Sequence, residues 1–295
     1  MIIPTATYTG FILAIRHIPA QVPTTDKLLY FLDSYSSRCS KYRAGRTFTV
    51  QNSCSFTVWP AIFTDLNAGS SALSTKTGWE APGGSEFSFT VPENWKSGRI
   101  WARTGCDFTN SEGIGSCVTG GCLGGLQCDA NVVAHPPVTY AEFTLNNNGQ
   151  DHYDVSLVGG FNLPIRISNT AGCGYAECTV NLNEHCPEPL KVPIDPNGTV
   201  AACKSACLAG LGGPPMNSPN CCTGRFALPA KCPPSGVEYY TYFKNACPNS
   251  YVYAYDESSG TALWTCPSSK KADYTVTFCP VEARREPFRS RDEEL

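Results

Sequence analysis

The chain has 295 residues, 17 of them cysteine, and a formal charge of −3 at pH 7. That length can bury a substantial core as one large domain or two modest ones, so size alone does not call for cross-links, and cysteine at this density points to an oxidising compartment unless metal is bound. The four histidines at 17, 135, 152 and 185 and the lack of any Cys-x-x-Cys argue against zinc, the acidic balance argues against nucleic acid, and no run of ~18 apolar residues offers a membrane span.

Only 16% of residues are charged, whereas glycine (26) and proline (23) are plentiful, a balance that favours a turn-rich β protein. Residues 1 to 45 stand apart. A secreted chain should open with a basic stretch and an apolar run of ~7–15 residues. Here the best run, Gly10 to Ile15, is interrupted by Arg16 and His17. The segment reads as an atypical, disordered extension or a misassigned start, with unconventional secretion as the alternative. Cys39 lies in it, which leaves sixteen cysteines for the remainder.

From Arg46 the pattern becomes period two. Phe48 and Val50 face one way and the threonines of 47 and 49 the other, and Thr57-Val58-Trp59 continues the rhythm after Cys54. Pro82-Gly83-Gly84 marks a turn before the alternation of 86–91. In 98–104 a strand would set Arg99, Trp101 and Arg103 on one face and Ile100 and Ala102 on the core side. The glycine-rich run from Gly113 to Cys128 holds three cysteines and few side chains able to fill a core, so covalent bonds must shape it. Ala141, Phe143 and Leu145 then alternate with Glu142 and Thr144, and Tyr153, Val155 and Leu157 with Asp154. Glu142, Asp154 and the two arginines thus point away from the core, as ordinary solvated charges also would.

The stretch from Cys173 to Cys247 loses the β rhythm and packs nine cysteines. Cys203 and Cys207, four apart, suggest one side of a short helix ended by Gly212-Gly213-Pro214-Pro215. This region must lean on disulfides, each worth ~2–4 kcal/mol. Asn197-Gly198-Thr199 is a glycosylation sequon at Asn197. Tyr251, Tyr253 and Tyr255 alternate on a further strand that ends at Asp256, and 274–280 closes the domain. Residues 281–295 form a charged tail, expected to be disordered.

Several stretches together resemble the thaumatin-like, or pathogenesis-related group five, family. They are 48–59, Arg99-Ile-Trp-Ala-Arg-Thr-Gly-Cys106, the cysteine run 113–128, Ala141-Glu142-Phe143, 154–162 and Phe278-Cys279-Pro280. The resemblance spans about residues 46 to 280. It implies a mainly β fold, a flattened β-sandwich of about eleven strands, with a disulfide-rich loop and short-helix subdomain and a small cross-linked hairpin. It also implies the pairs Cys54 with Cys279, Cys106 with Cys117, Cys122 with Cys128, Cys173 with Cys266, Cys178 with Cys247, Cys186 with Cys203, Cys207 with Cys221, and Cys222 with Cys232.

In many members a cleft beside the sandwich is acidic, and Arg99, Glu142, Asp154 and Asp256 match four of its positions, with Arg103 as a neighbour. Gly159 stands where the family usually has Asp, and Gly121 replaces a second usual Asp before Cys122. Fewer carboxylates should ease ionisation of Glu142 and Asp154. Glycoside hydrolysis needs one protonated and one ionised carboxyl. Glu142 is assigned the acid and Asp154 the base or nucleophile, with Arg99 orienting and Tyr153, Phe161 and the Tyr251–Tyr255 row offering stacking faces to sugar. The resemblance implies a secreted, monomeric protein of the extracellular space or cell wall that needs no metal or cofactor. Its partner would be β-1,3-glucan or another cell-wall polysaccharide, bound and weakly cleaved in antifungal defence or fungal wall remodelling. The alternative is a non-enzymatic defence protein that permeabilises membranes or inhibits other hydrolases.

Overall fold

In the computed structural model, residues 45–109, 112–129, 132–193 and 199–280 are described. The expectations for the amino-terminal extension, Cys39, Asn197 and the 281–295 tail lie outside them. The alternating stretches become strands β1 (Arg46–Asn52), β2 (Trp59–Thr64), β3 (Glu86–Val91) and β4 (Gly98–Arg103). After the glycine-rich loop come β5 (Tyr140–Asn147), β6 (Gln150–Ser156), β7 (Ile165–Asn169) and β8 (Ala176–Cys178). The last four are β9 (Lys191–Pro193), β10 (Val200–Cys203), β11 (Trp264–Pro267) and β12 (Tyr274–Phe278). The described residues thus hold twelve strands, one more than the round number expected.

Ten of these strands build two five-stranded sheets, ordered β3-β1-β12-β7-β8 and β11-β6-β5-β4-β2, while β9 and β10 form a separate hairpin. Alternation explains the packing. Phe48, Phe143, Tyr153 and Tyr274 point inward from the two sheets and are fully buried, with Phe48 meeting Phe143 edge to face at 4.8 Å and Tyr274 at 5.4 Å. Strand β1 runs parallel to β12. Parallel neighbours cannot be joined by a short hairpin, and here the first and last strands meet across the whole domain, held by Cys54–Cys279.

Seven further disulfides staple the remainder: Cys106–Cys117, Cys122–Cys128, Cys173–Cys266, Cys178–Cys247, Cys186–Cys203, Cys207–Cys221 and Cys222–Cys232. The cysteine-rich region is mostly turns and single 3-10 turns, with one α-helix, α1 (Tyr240–Ala246), among the described residues.

Two local expectations need correction. Cys203 ends strand β10 and Cys207 sits in a turn, so no helix joins them. They bond different partners, and their four-residue spacing carries no helical meaning. The tyrosine row 251–255 is no strand either. Only Tyr251 bridges a neighbour, Ser156, before the chain turns into a 3-10 helix at Asp256–Ser259.

Strand β4 departs from one-faced burial as well. Ile100 and Ala102 enter the main core as expected, but Trp101 and Arg103 on the other face are also fully buried. The glycine-rich loop covers them, forming a second small core of Trp101, Ala61, Cys122, Cys128, Ala134, Val138 and Tyr140. Trp101 satisfies its indole by donating to the Gly120 carbonyl at 2.8 Å.

Candidate functional site

Strand register lays a row of side chains across the open face of the β11-β6-β5-β4-β2 sheet. Phe63 on β2 lies opposite Arg99 on β4, Arg99 opposite Glu142 on β5, and Glu142 opposite Asp154 on β6. Their inward neighbours Ile100, Ala141 and Val155 are fully buried, so period two forces this row outward. One step along, Thr144 lies opposite His152. Arg99, Glu142, Asp154, Thr144 and His152, with Ser97 and Leu263, line a depression of about 240 Å³.

The charges in the row are unequal. Arg99 Nε donates to Glu142 Oε1 in an ion pair, and its guanidinium carbon lies 5.4 Å from the ring of Tyr140 and 5.9 Å from that of Phe63. Asp154 has no such partner; its Oδ2 is sealed from solvent and makes no hydrogen bond. Burial pushes this carboxyl well above the usual aspartate range, neighbouring Glu142 and Glu257 add to the rise, and Arg99 opposes it. The glycine at 159 removes a carboxylate, but burial and the neighbouring Glu142 still oppose ionisation of Asp154.

One wall comes from the segment after α1. Tyr251 N–H donates to Val155 O at 2.8 Å and Tyr251 O accepts from Leu157 N–H at 2.8 Å, so the segment continues the sheet beyond β6. Burial, then the charges of the exposed Glu257 and of Asp154, push the Tyr251 phenol upward.

Four expected contributors lie elsewhere. Asp256 is fully buried behind the wall, accepting from Tyr240 Oη at 2.9 Å, Lys244 Nζ at 2.9 Å and Val252 N–H at 3.0 Å. It anchors the wall, and the adjacent Glu257 is exposed and acts on Asp154 through its charge. Tyr153 and Phe161 are wholly buried, so neither offers a stacking face; the Tyr153 hydroxyl is spent on Gly174 O at 2.6 Å. Arg103 is caged by the carbonyls of Trp59, Gly125, Leu126 and Pro60 at 2.7–3.2 Å. With no carboxylate among the described residues to pair with it, burial holds its pKa down to about 10.

The two unusual glycines also differ. A Cβ on Gly121 would sit 2.0 Å from the Ile114 carbonyl oxygen, so the loop as folded has no room for a side chain. At Gly159 the nearest atoms, Tyr140 Cε2 and Val138 O, would be 3.6 Å away, which is ordinary contact. No group of three or more metal-ligating side chains occurs among the described residues.

Sequence reading missed Thr144 and His152 in the depression and Glu257 as a charge acting on Asp154. Thr144 and His152 carried a usable signal, because each is two residues from an identified acid on the same strand face. Glu257 carried none, since the family resemblance matched the neighbouring Asp256.

A ten-stranded β-sandwich with a separate hairpin, eight disulfides and a charged depression on one sheet defines a disulfide-stapled sandwich protein with a candidate ligand site on that face. The thaumatin family profile matches residues 52–280, and the chain belongs to that family. It is 46% identical over 248 residues to thaumatin-like protein 1 of Arabidopsis thaliana, covering 80% of this chain and 86% of that one. It is 45% identical to pathogenesis-related protein 5 of the same plant, covering 79% and 90% respectively. Against pathogenesis-related thaumatin-like protein 3.5 of Cryptomeria japonica identity is 44%, over 81% and 92%. Among solved structures, a thaumatin-like xylanase inhibitor aligns with 79% of this chain and 99% of its own at 22% identity and a TM-score of 0.38.

Proposed function

We propose that this thaumatin-like protein is secreted, acts as a monomer and binds β-1,3-glucan or a similar neutral cell-wall polysaccharide along the Arg99–Glu142–Asp154 row, with weak hydrolysis at most. The carrying observation is the row itself: an ion pair beside a carboxyl with one sealed, unpartnered oxygen on an otherwise open sheet face. Such a face offers donors and acceptors in a line, which suits a hydroxyl-rich chain. Glu142, Asp154 and Glu257 around one arginine disfavour polyanions. Secretion is supported by sixteen cysteines joined as eight disulfides.

The acid and base roles assigned from sequence exchange places in this reading. Asp154, pushed upward, holds the proton, and Glu142, paired with Arg99, is the charged partner. Directly opposed residues on neighbouring strands have Cβ atoms ~4.5–5.5 Å apart, which suits the ~5–5.5 Å carboxyl separation of retaining glycosidases better than the ~6.5–9.5 Å of inverting ones. Turnover is slow because Glu142 is committed to Arg99 and one Asp154 oxygen is sealed. The antifungal role belongs with this binding activity.

The test is retention of oxidised, purified protein on insoluble β-1,3-glucan, with reducing ends measured after incubation with the soluble polymer. Wild type should be retained and Glu142→Gln released; passage of wild type through the matrix overturns the reading. Weak release of reducing ends that survives both Glu142→Gln and Asp154→Asn removes the catalytic assignment.

A further inference from the structure

The wall that carries Tyr251 and Glu257 has an unusual anchor. Helix α1 packs behind it and ends at Cys247, which is tied to Cys178 on β8. From the last turn of this helix Lys244, 12% exposed, sends its ammonium into the neck of the 250–256 loop. There Nζ donates to the Ser250 carbonyl at 2.8 Å and to Asp256 Oδ2 at 2.9 Å. One cation thus holds the residue that precedes Tyr251 and the residue that precedes Glu257. The same Asp256 oxygen accepts the Val252 N–H at 3.0 Å, so the loop is closed on both sides of Tyr251.

We infer that Lys244, which does not line the cleft, is a positioning residue for it: by clamping Ser250 to Asp256 it fixes where Tyr251 and Glu257 stand against Asp154. The chemistry is that of a buried charge-assisted hydrogen-bond pair, whose donor geometry is stiff because neither partner can turn to water instead. Burial lowers the Lys244 pKa while Asp256 opposes the fall, which fits an ammonium kept charged by its partner. Polysaccharide enters this inference only through the reading above, and the main readout does not depend on it.

That readout is the titration of Asp154, followed by the carboxyl carbon resonance. The charged groups acting on it are Glu142 and Arg99 from the neighbouring strands and Glu257 from the loop; both Glu257 and Asp154 also act on Tyr251. Lys244→Met cuts the clamp, and the paired Lys244→Met/Asp256→Asn cuts it without leaving a lone buried charge. Both should lower the Asp154 midpoint by about half a unit, because Glu257 drifts away. Glu257→Gln should lower it by the same amount, and adding it to the clamp variants should lower it no further. Lys244→Arg should restore the wild-type midpoint. An unchanged midpoint in the clamp variants, or effects that add, overturns the inference whether or not glucan binds. If wild type is retained on glucan, the clamp variants should be retained about tenfold less, equivalent to about 1.4 kcal/mol; failure of wild-type retention alone counts against the polysaccharide reading and leaves the titration to decide the clamp.

Discussion

Replacing Asp154 by asparagine should make the protein more stable at neutral pH. Its carboxyl lies beside Glu142, with Oδ2 sealed and unpartnered, and burial pushes its pKa well above the usual range. For an acid whose folded pKa is raised, the folded state binds the extra proton between the unfolded value near ~3.9 and the folded value, so stability falls as pH rises through that window. Above it the penalty is constant, at about 1.4 kcal/mol for each unit of upward shift. Below pH 3.9 both states are protonated and the penalty vanishes. Asparagine has the same shape and no charge, so Asp154→Asn should match wild type near pH 3 and exceed it at pH 7. In a domain of this size each kcal/mol moves Tm by about 2–4 °C. Calorimetric melts of both proteins from pH 3 to 8 read the difference directly. A gap that stays flat with pH, or a wild type that is the more stable protein at pH 7, would refute the reasoning.

Asp256→Asn should strip Lys244 of its buried counter-ion and cost about 3 kcal/mol, read as a Tm lower by roughly 6–12 °C; an unchanged Tm with glucan retention abolished would instead make Asp256 a ligand contact. Gly159→Asp should fold normally, because its Cβ meets nothing closer than 3.6 Å, and should raise the rate of reducing-end release if hydrolysis occurs at all; unchanged release would mean the added acid does not reach the reacting site. Gly121→Asp should secrete poorly, since its Cβ would overlap the Ile114 carbonyl, and secretion at wild-type yield would show that the loop can rearrange. Phe161→Ala should cost about 3–5 kcal/mol in denaturant melts without changing the glucan affinity of the protein that remains folded; lost affinity at full stability would return Phe161 to the cleft.

Much of the fold was legible along the chain because alternation is a local property. Phe48 and Val50, Ala141 and Phe143, and Tyr153 and Val155 declare their buried face within a few residues, and that periodicity also turned Arg99, Glu142 and Asp154 outward. The reading failed where both faces are covered. Nothing near Trp101 or Arg103 announces that a glycine-rich loop will fold over them, and the spacing of Cys203 and Cys207 imitates a helix because disulfide partners are distant in sequence.

By itself, then, the sequence determined the class of the protein: an oxidised, mainly β chain whose cysteines and strand motifs resemble the thaumatin family, with an arginine and two acids on one sheet face. Tertiary structure alone decided where each acid stands. Burial is a sum over neighbours from distant parts of the chain, and that sum sends Asp256 into an ion pair behind the wall and, with the charges of Glu142 and Glu257, pushes the Asp154 carboxyl upward. Two adjacent acids, Asp256 and Glu257, look alike in sequence. The backbone turn at the start of the 3-10 helix buries one and exposes the other.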